Sequence, residues 1–155
     1  MLEFRQPLSA DIDELASNMR QADVAECHAA GVVDLRECIA DGVQHSDLCW
    51  AALVDGQVAA IFGTRPIGSL LNPTAAVWLL GTPVLTANRR AFARHSPRYI
   101  WQMRQAHSHL MNFVHTENVP AVRFLRHHGF TIHDPVPLST GALFHPFEIG
   151  GTQNL

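Results

Sequence analysis

Residues 110–133 read LMNFVHTENVPAVRFLRHHGFTIH, and their order decides the fold. LMNFVHT, 110–116, predicts a strand. Asn118 carries a short side chain that can accept from a first-turn N–H, so it predicts a helix N-cap. Val119, Val122 and Leu125 follow as the apolar positions of that helix. Gly129 tolerates positive φ and predicts its end, with a strand resuming over 130–133.

Working upstream, residues 75–81 (AAVWLLG) predict a buried strand. Thr82-Pro83 predicts a helical turn, with proline at the first helical position. A helix over about 89–108 places Phe92, Tyr99, Met103, Ala106 and Leu110 on one face. Pro97 is expected to kink it, or to restart it with Ser96 as cap. Residues 75–134 are therefore a β-α-β-α unit, which favours parallel pairing of its two strands.

Further upstream, Leu48–Val54 and Gln57–Gly63 are apolar runs joined by Asp55-Gly56, a two-residue hairpin signal. Residues 64–74, with Pro66, Gly68, Asn72 and Pro73, predict a loop. The segment 2–6 alternates as a short strand. Helices are predicted from Ser9, over about 21–30, and from Asp34 to near Gly42, with Glu37 completing a capping box. Residues 142–149 predict a last strand. The expectation is one α/β domain over 1–155, a mixed sheet flanked by helices.

Composition narrows the class. A chain of 155 residues can bury about 70% of its unfolded surface. With 47% hydrophobic and 16% charged residues it is not a disordered chain. No apolar run approaches the roughly 18 residues of a membrane helix. No secretory signal is visible, and Cys27, Cys38 and Cys49 are too few and too dispersed for a disulfide framework or a metal cluster. They are expected to be reduced core thiols of an intracellular protein. The net charge of −3 argues against a general nucleic-acid binder. It conceals an asymmetry: residues 1–55 hold eleven acids and three arginines, whereas 56–116 hold six arginines and no acid.

The element order resembles the GNAT acyltransferase fold, most specifically through Asn118-x-x-Ala121-x(7)-Gly129-Phe130. In that family Asn caps the last helix, Ala packs beneath it, and Gly-Phe turns into the next strand. The Asp55-Gly56 hairpin matches the family's second and third strands. A mostly antiparallel sheet with two splayed parallel strands at its centre is what the resemblance implies. A narrower resemblance rests on Trp78-Leu79-Leu80-Gly81-Thr82, Arg90-Ala91-Phe92, Arg94-His95-Ser96, and Asn118 with Arg123-Phe124-Leu125. These segments look like a small GNAT-like family of tailed phages and prophages. Its relatives in short-tailed phages are associated with internal virion proteins and assembly of a DNA-ejection-competent particle. The implied partners are phage structural or internal virion proteins. The implied place is the bacterial host cytoplasm or the virion itself.

Three departures from an active acyltransferase stand together. The phosphate loop of active members has the form Gln/Arg-x-x-Gly-x-Gly/Ala, whose backbone N–H groups hold the cofactor pyrophosphate. Here Asn88–Arg94 contains no glycine. The position of the family's proton-donating Tyr, seven residues after the Asn, is Leu125. The strand at 75–81 carries no carboxylate as base. The resemblance therefore implies a degenerate acyltransferase acting through contacts, with no cofactor. The alternative is an acetyl-CoA-dependent N-acetyltransferase with an atypical loop. For that alternative the cofactor-binding positions would be main chain near Leu80 and Thr82, with Arg90 and Asn118.

Other residues are read both ways. Arg90, Arg94 and Arg98 form one helical stripe, for phosphate or as a solvated face. On a helix His107 and His109 point apart, and they cannot chelate one metal unless the segment is extended. No zinc spacing occurs and no metal is expected. His115, at a strand exit beside Asn118, is the one candidate proton-transfer group. Trp50, Trp78 and Trp101 are expected in the core or at an interface.

Overall fold

Asp55 at φ 50° and Gly56 at φ 82° close a two-residue turn between β2 (Leu48–Val54) and β3 (Gln57–Pro66). Both central residues are left-handed, the geometry whose twist matches paired strands. The computed structural model describes residues 1–68 and 71–151. Around this hairpin lie β1 (Leu2–Arg5), α1 (Ser9–Asn18), α2 (Gln21–Ala29) and α3 (Leu35–His45) before it. After it come β4 (Thr74–Gly81), α4 (Pro83–Ala87), α5 (Arg89–Ala106), β5 (His109–His115) and α6 (Val119–His127). The chain ends in β6 (Thr131–Ile132), β7 (Val136–Pro137) and β8 (Leu143–Gly150). The sheet order is β1-β2-β3-β4-β5-β8-β6, with β7 on β8.

All pairings are antiparallel except β4 with β5. That parallel pair holds register only at Thr74↔His109, Ala75↔Leu110 and Ala76↔Met111, after which the strands part. The predicted mixed sheet with splayed central strands is thus the observed one. Among the described residues, no helix is long and apolar enough to cross a membrane.

Two apolar layers hold helices to the sheet. On one face Phe62, Phe92, Tyr99, Met103, Leu110, Val114, Phe130 and Phe147 pack beneath α5 and α6. On the other, Ile12, Leu15, Ile39, Leu53, Val58 and Ile61 pack beneath α1 and α3. At roughly 1.5–3 kcal/mol for each large buried side chain, these layers dominate the stabilisation.

Several boundaries differ from expectation for local reasons. Helix α3 runs past Gly42 to His45 because that glycine serves packing: a Cβ there would sit 3.2 Å from the Trp78 ring. Helix α5 continues through Pro97, and Ser96 does not cap a new helix; its hydroxyl donates to the Phe92 carbonyl at 2.7 Å. Ser9 already lies inside α1, whose start is held by Asp11 accepting from the Leu8 N–H at 2.7 Å. Trp101 is not a core residue, being 64% exposed, whereas Trp50 and Trp78 are partly buried. The predicted loop at 64–74 is shorter, since β3 continues to Pro66 and β4 starts at Thr74; positions 69 and 70 lie outside the described residues.

Candidate functional site

The parting of β4 and β5 is the natural place for a ligand, because strand ends that separate leave main-chain groups to be satisfied. In this chain several of those groups are bonded from within. One residue beyond the last parallel pair, the Asn112 side-chain amide donates across the gap to the Val77 carbonyl at 2.9 Å. At the end of β4, Gly81 N–H donates to Asp23 Oδ2 at 2.9 Å, and Gly81 C=O accepts from Arg20 N–H at 2.8 Å. Helix α2 is therefore latched onto the strand that would line the gap. Gly81 has no spare room, since a Cβ would lie 2.6 Å from a Leu85 methyl.

Asp23 is the centre of this latch and is 1% exposed. It accepts from Arg20 Nε at 2.6 Å, from Gly81, and from Asn118 Nδ2 at 3.0 Å. A buried carboxylate is tolerated only when paired and hydrogen-bonded in this way. One turn on, Glu26 accepts from the His115 N–H at 2.6 Å. Burial, reinforced by the Asp23 charge and opposed by the His115 N–H, pushes the Glu26 carboxyl up to about 7. Two carboxylates of α2 thus join the ends of β4 and β5 and the cap of α6.

Each residue singled out in the sequence has a defined place. Asn118 caps α6 by accepting from Ala121 N–H, and its other end reaches Asp23; it is 1% exposed. Thr82 N–H donates to Ala59 C=O at 2.9 Å, and its hydroxyl donates to Val58 C=O at 2.7 Å. Leu80 pairs with Ile61 and turns its side chain to the α1–α3 layer. Arg90 is exposed in the first turn of α5. The His115 ring packs 5.1 Å from Phe144, with Nδ1 buried and without a hydrogen-bond partner among the described residues. Asn118 and His115 are brought together around Asp23 and Glu26; Arg90 stands apart from them on another element.

The segment expected to be a phosphate loop is helical. α4 ends at Ala87, Asn88 joins the two helices, and α5 begins at Arg89. Phe92, in one of the places where an active loop has glycine, turns inward to 3% exposure. Its ring meets Phe62 of β3 at 5.8 Å and Phe124 of α6 at 5.8 Å. The Phe92–Phe124 contact bridges α5 and α6 over the same layer.

No zinc-like arrangement is assembled either: among the described residues, no three His, Cys, Asp or Glu side chains are placed to hold a metal. His107 pairs with Asp47, and His109 and His133 share Glu148.

No family model and no curated protein sequence matches the chain. Solved structures do. PaiA N-acetyltransferase from Thermoplasma acidophilum, in complex with coenzyme A, is 15% identical with a TM-score of 0.67, covering 97% of this chain and 99% of that one. The ribosomal-protein-S18-alanine N-acetyltransferase from Escherichia coli is 14% identical with a TM-score of 0.64, covering 100% and 99%. AAC(6')-Ib in complex with ribostamycin and coenzyme A is 12% identical with a TM-score of 0.70, covering 96% and 93%. The chain has the GNAT acetyltransferase fold. Within that fold, the start of α5 carries no glycine and the Gly81 amide is bonded to Asp23.

Asp23 and Glu26 were not among the residues singled out from the sequence. Their helix reads QADVAECHA, an ordinary solvated pattern. The one available signal was two acids spaced i, i+3 with Cys27 on an otherwise weakly apolar helix.

Proposed function

We propose that this protein is a GNAT-fold relative that has lost acyl transfer and acts through protein contacts, in phage particle assembly or genome ejection. The observation that carries the first part is the Asp23–Gly81 hydrogen bond. The amide that a GNAT fold would offer to a pantetheine-like chain at the end of β4 is held by a side chain of the protein itself. Phe92 and Leu125 support the same reading, because neither can replace the loop glycine or the proton donor. The phage setting rests on the resemblance of the 78–82, 90–96 and 118–125 segments.

Calorimetry with acetyl-CoA and with CoA tests the loss of transfer. The expected result is no measurable heat at about 100 μM ligand, equivalent to binding weaker than roughly −5.5 kcal/mol. Micromolar binding overturns it. For the contact role, particles made by a phage lacking the gene should differ from normal ones in internal protein content or genome delivery. Unchanged particles would remove that setting.

A second reading, acetyl-CoA-dependent N-acyl transfer, is favoured by Glu26. A carboxyl titrating near neutral at the gap is suited to accept a proton from an amine. In that reading Leu80, Thr82, Arg90 and Asn118 would bind the cofactor, His115 would be a second proton-transfer group, and the α2 latch would have to leave Gly81. Turnover that disappears in Glu26→Gln while the fold persists would support it.

A further inference from the structure

We propose that the face formed by α5 and α6 binds a single strand of nucleic acid. The net charge of −3 describes the whole surface, but the fold sorts the charges by face. Four of the eleven arginines form ion pairs, namely Arg5, Arg20, Arg36 and Arg65 with Asp11, Asp23, Asp13 and Asp41. The other seven form none among the described residues, and all seven lie on α5 or α6. Neither helix contains an acid. All seven are exposed.

Arg90, Arg94 and Arg98 recur every four residues, so they rise about 6 Å apart along one side of α5. Trp101 lies one turn beyond Arg98 on that same side, opposite the buried stripe of Phe92, Ser96, Tyr99 and Met103. Its indole is 64% exposed. Trp101 and Arg104 line an open groove of about 820 Å³ shared with His127 and His128 at the end of α6. An arginine track that leads to an uncovered aromatic ring suits a strand whose phosphates run along the track and whose unpaired base stacks on the ring. A duplex offers no free base to the indole. A second copy of this chain could present its acid-rich N-terminal helices to the track, but would leave the indole without a planar partner.

The test is fluorescence anisotropy of a labelled single strand of about 20 nucleotides with the whole protein, across a salt series. Binding is expected at low salt and should weaken as salt rises. Replacing Arg90, Arg94 and Arg98 together by Ala should weaken it strongly and reduce the slope of log K against log salt by about 2, since each phosphate contact contributes about 0.7. Trp101→Ala should weaken binding about tenfold with little change in slope. Arg36→Ala, on the opposite face, should change neither. These side chains are exposed, so an unchanged circular-dichroism melt separates lost binding from lost fold.

The proposal is overturned by any of five results. These are no binding at low salt, equal loss in Arg36→Ala, or an intact slope in the triple variant. The others are tighter binding of a blunt duplex, or displacement of the strand by micromolar CoA, which would assign the arginines to the phosphates of that cofactor. Light scattering on the same samples reads the remaining occupant: head-to-tail oligomers that dissolve in the triple variant, with no strand binding, would assign the face to self-association.

Discussion

Glu26→Gln should make this protein more stable at pH 8, although it removes a charge that the His115 N–H hydrogen-bonds. The reason is the cost of holding a carboxylate partly buried beside Asp23. The Glu26 carboxyl is raised from its ordinary 4.5 to about 7, with burial the largest cause. Between those values the folded state retains a proton that the unfolded state has released. Stability therefore falls as pH rises through the window and stays low above it. A gap of that width at 1.36 kcal/mol per unit is worth about 3 kcal/mol above neutral pH. Glutamine keeps an oxygen for the His115 N–H and carries no charge, so it should recover most of that amount. For a chain of this size, the gain corresponds to roughly 9 °C in melting temperature. Asp11, Asp41, Asp47 and Glu148 are all shifted down and act below this window. His128, lowered by burial, acts in the opposite sense, so the difference between parent and variant isolates Glu26. Thermal melts of both proteins from pH 5 to 8 provide the measurement. A variant no more stable than the parent at pH 8, or a difference between them that does not change with pH, refutes the reasoning.

Asp23→Ala should cost about 4 kcal/mol, because Arg20, Gly81 N–H and Asn118 all lose their acceptor at once; urea unfolding measures it. Gly63→Ala should cost about 3 kcal/mol and disturb β2–β3 pairing, since its Cβ would lie 2.2 Å from the Leu48 carbonyl oxygen, and a backbone atom cannot swing away. Calorimetric melting would show it, and an unchanged melting temperature would contradict the close approach. Cys38, lowered to about 7 by its hydrogen bond with Cys27, should alkylate before Cys49, whose thiol burial pushes up to about 12. Peptide mass mapping at pH 7.5 decides the order.

How much of this could be read in advance follows from the range of each interaction. The Asp55-Gly56 hairpin, the Asp34 and Asn118 caps and the Gly129 stop involve residues a few positions apart, so spacing reveals them. The absence of glycine from Asn88 to Arg94 was equally plain, because it concerns residue identity alone. The fate of Gly42 and Pro97 was not. Gly42 answers to Trp78, which arrives from another element, and α5 runs on through Pro97 with its buried stripe seated on the sheet.

The candidate site divides in the same way. The sequence by itself determined the elements, their order and the absence of glycine between Asn88 and Arg94. It also determined that acids and arginines fall in different thirds of the chain. Only the tertiary structure decided what bonds the ends of the parting strands and which arginines form no ion pair among the described residues. Asp23 meets Gly81 across 58 residues and Asn118 across 95. No periodicity encodes such a meeting, because it depends on where α2 docks once both apolar layers have formed. The basic face arises likewise: α5 and α6, which contain no acid, cover one side of the sheet, and α1 and α3 cover the other.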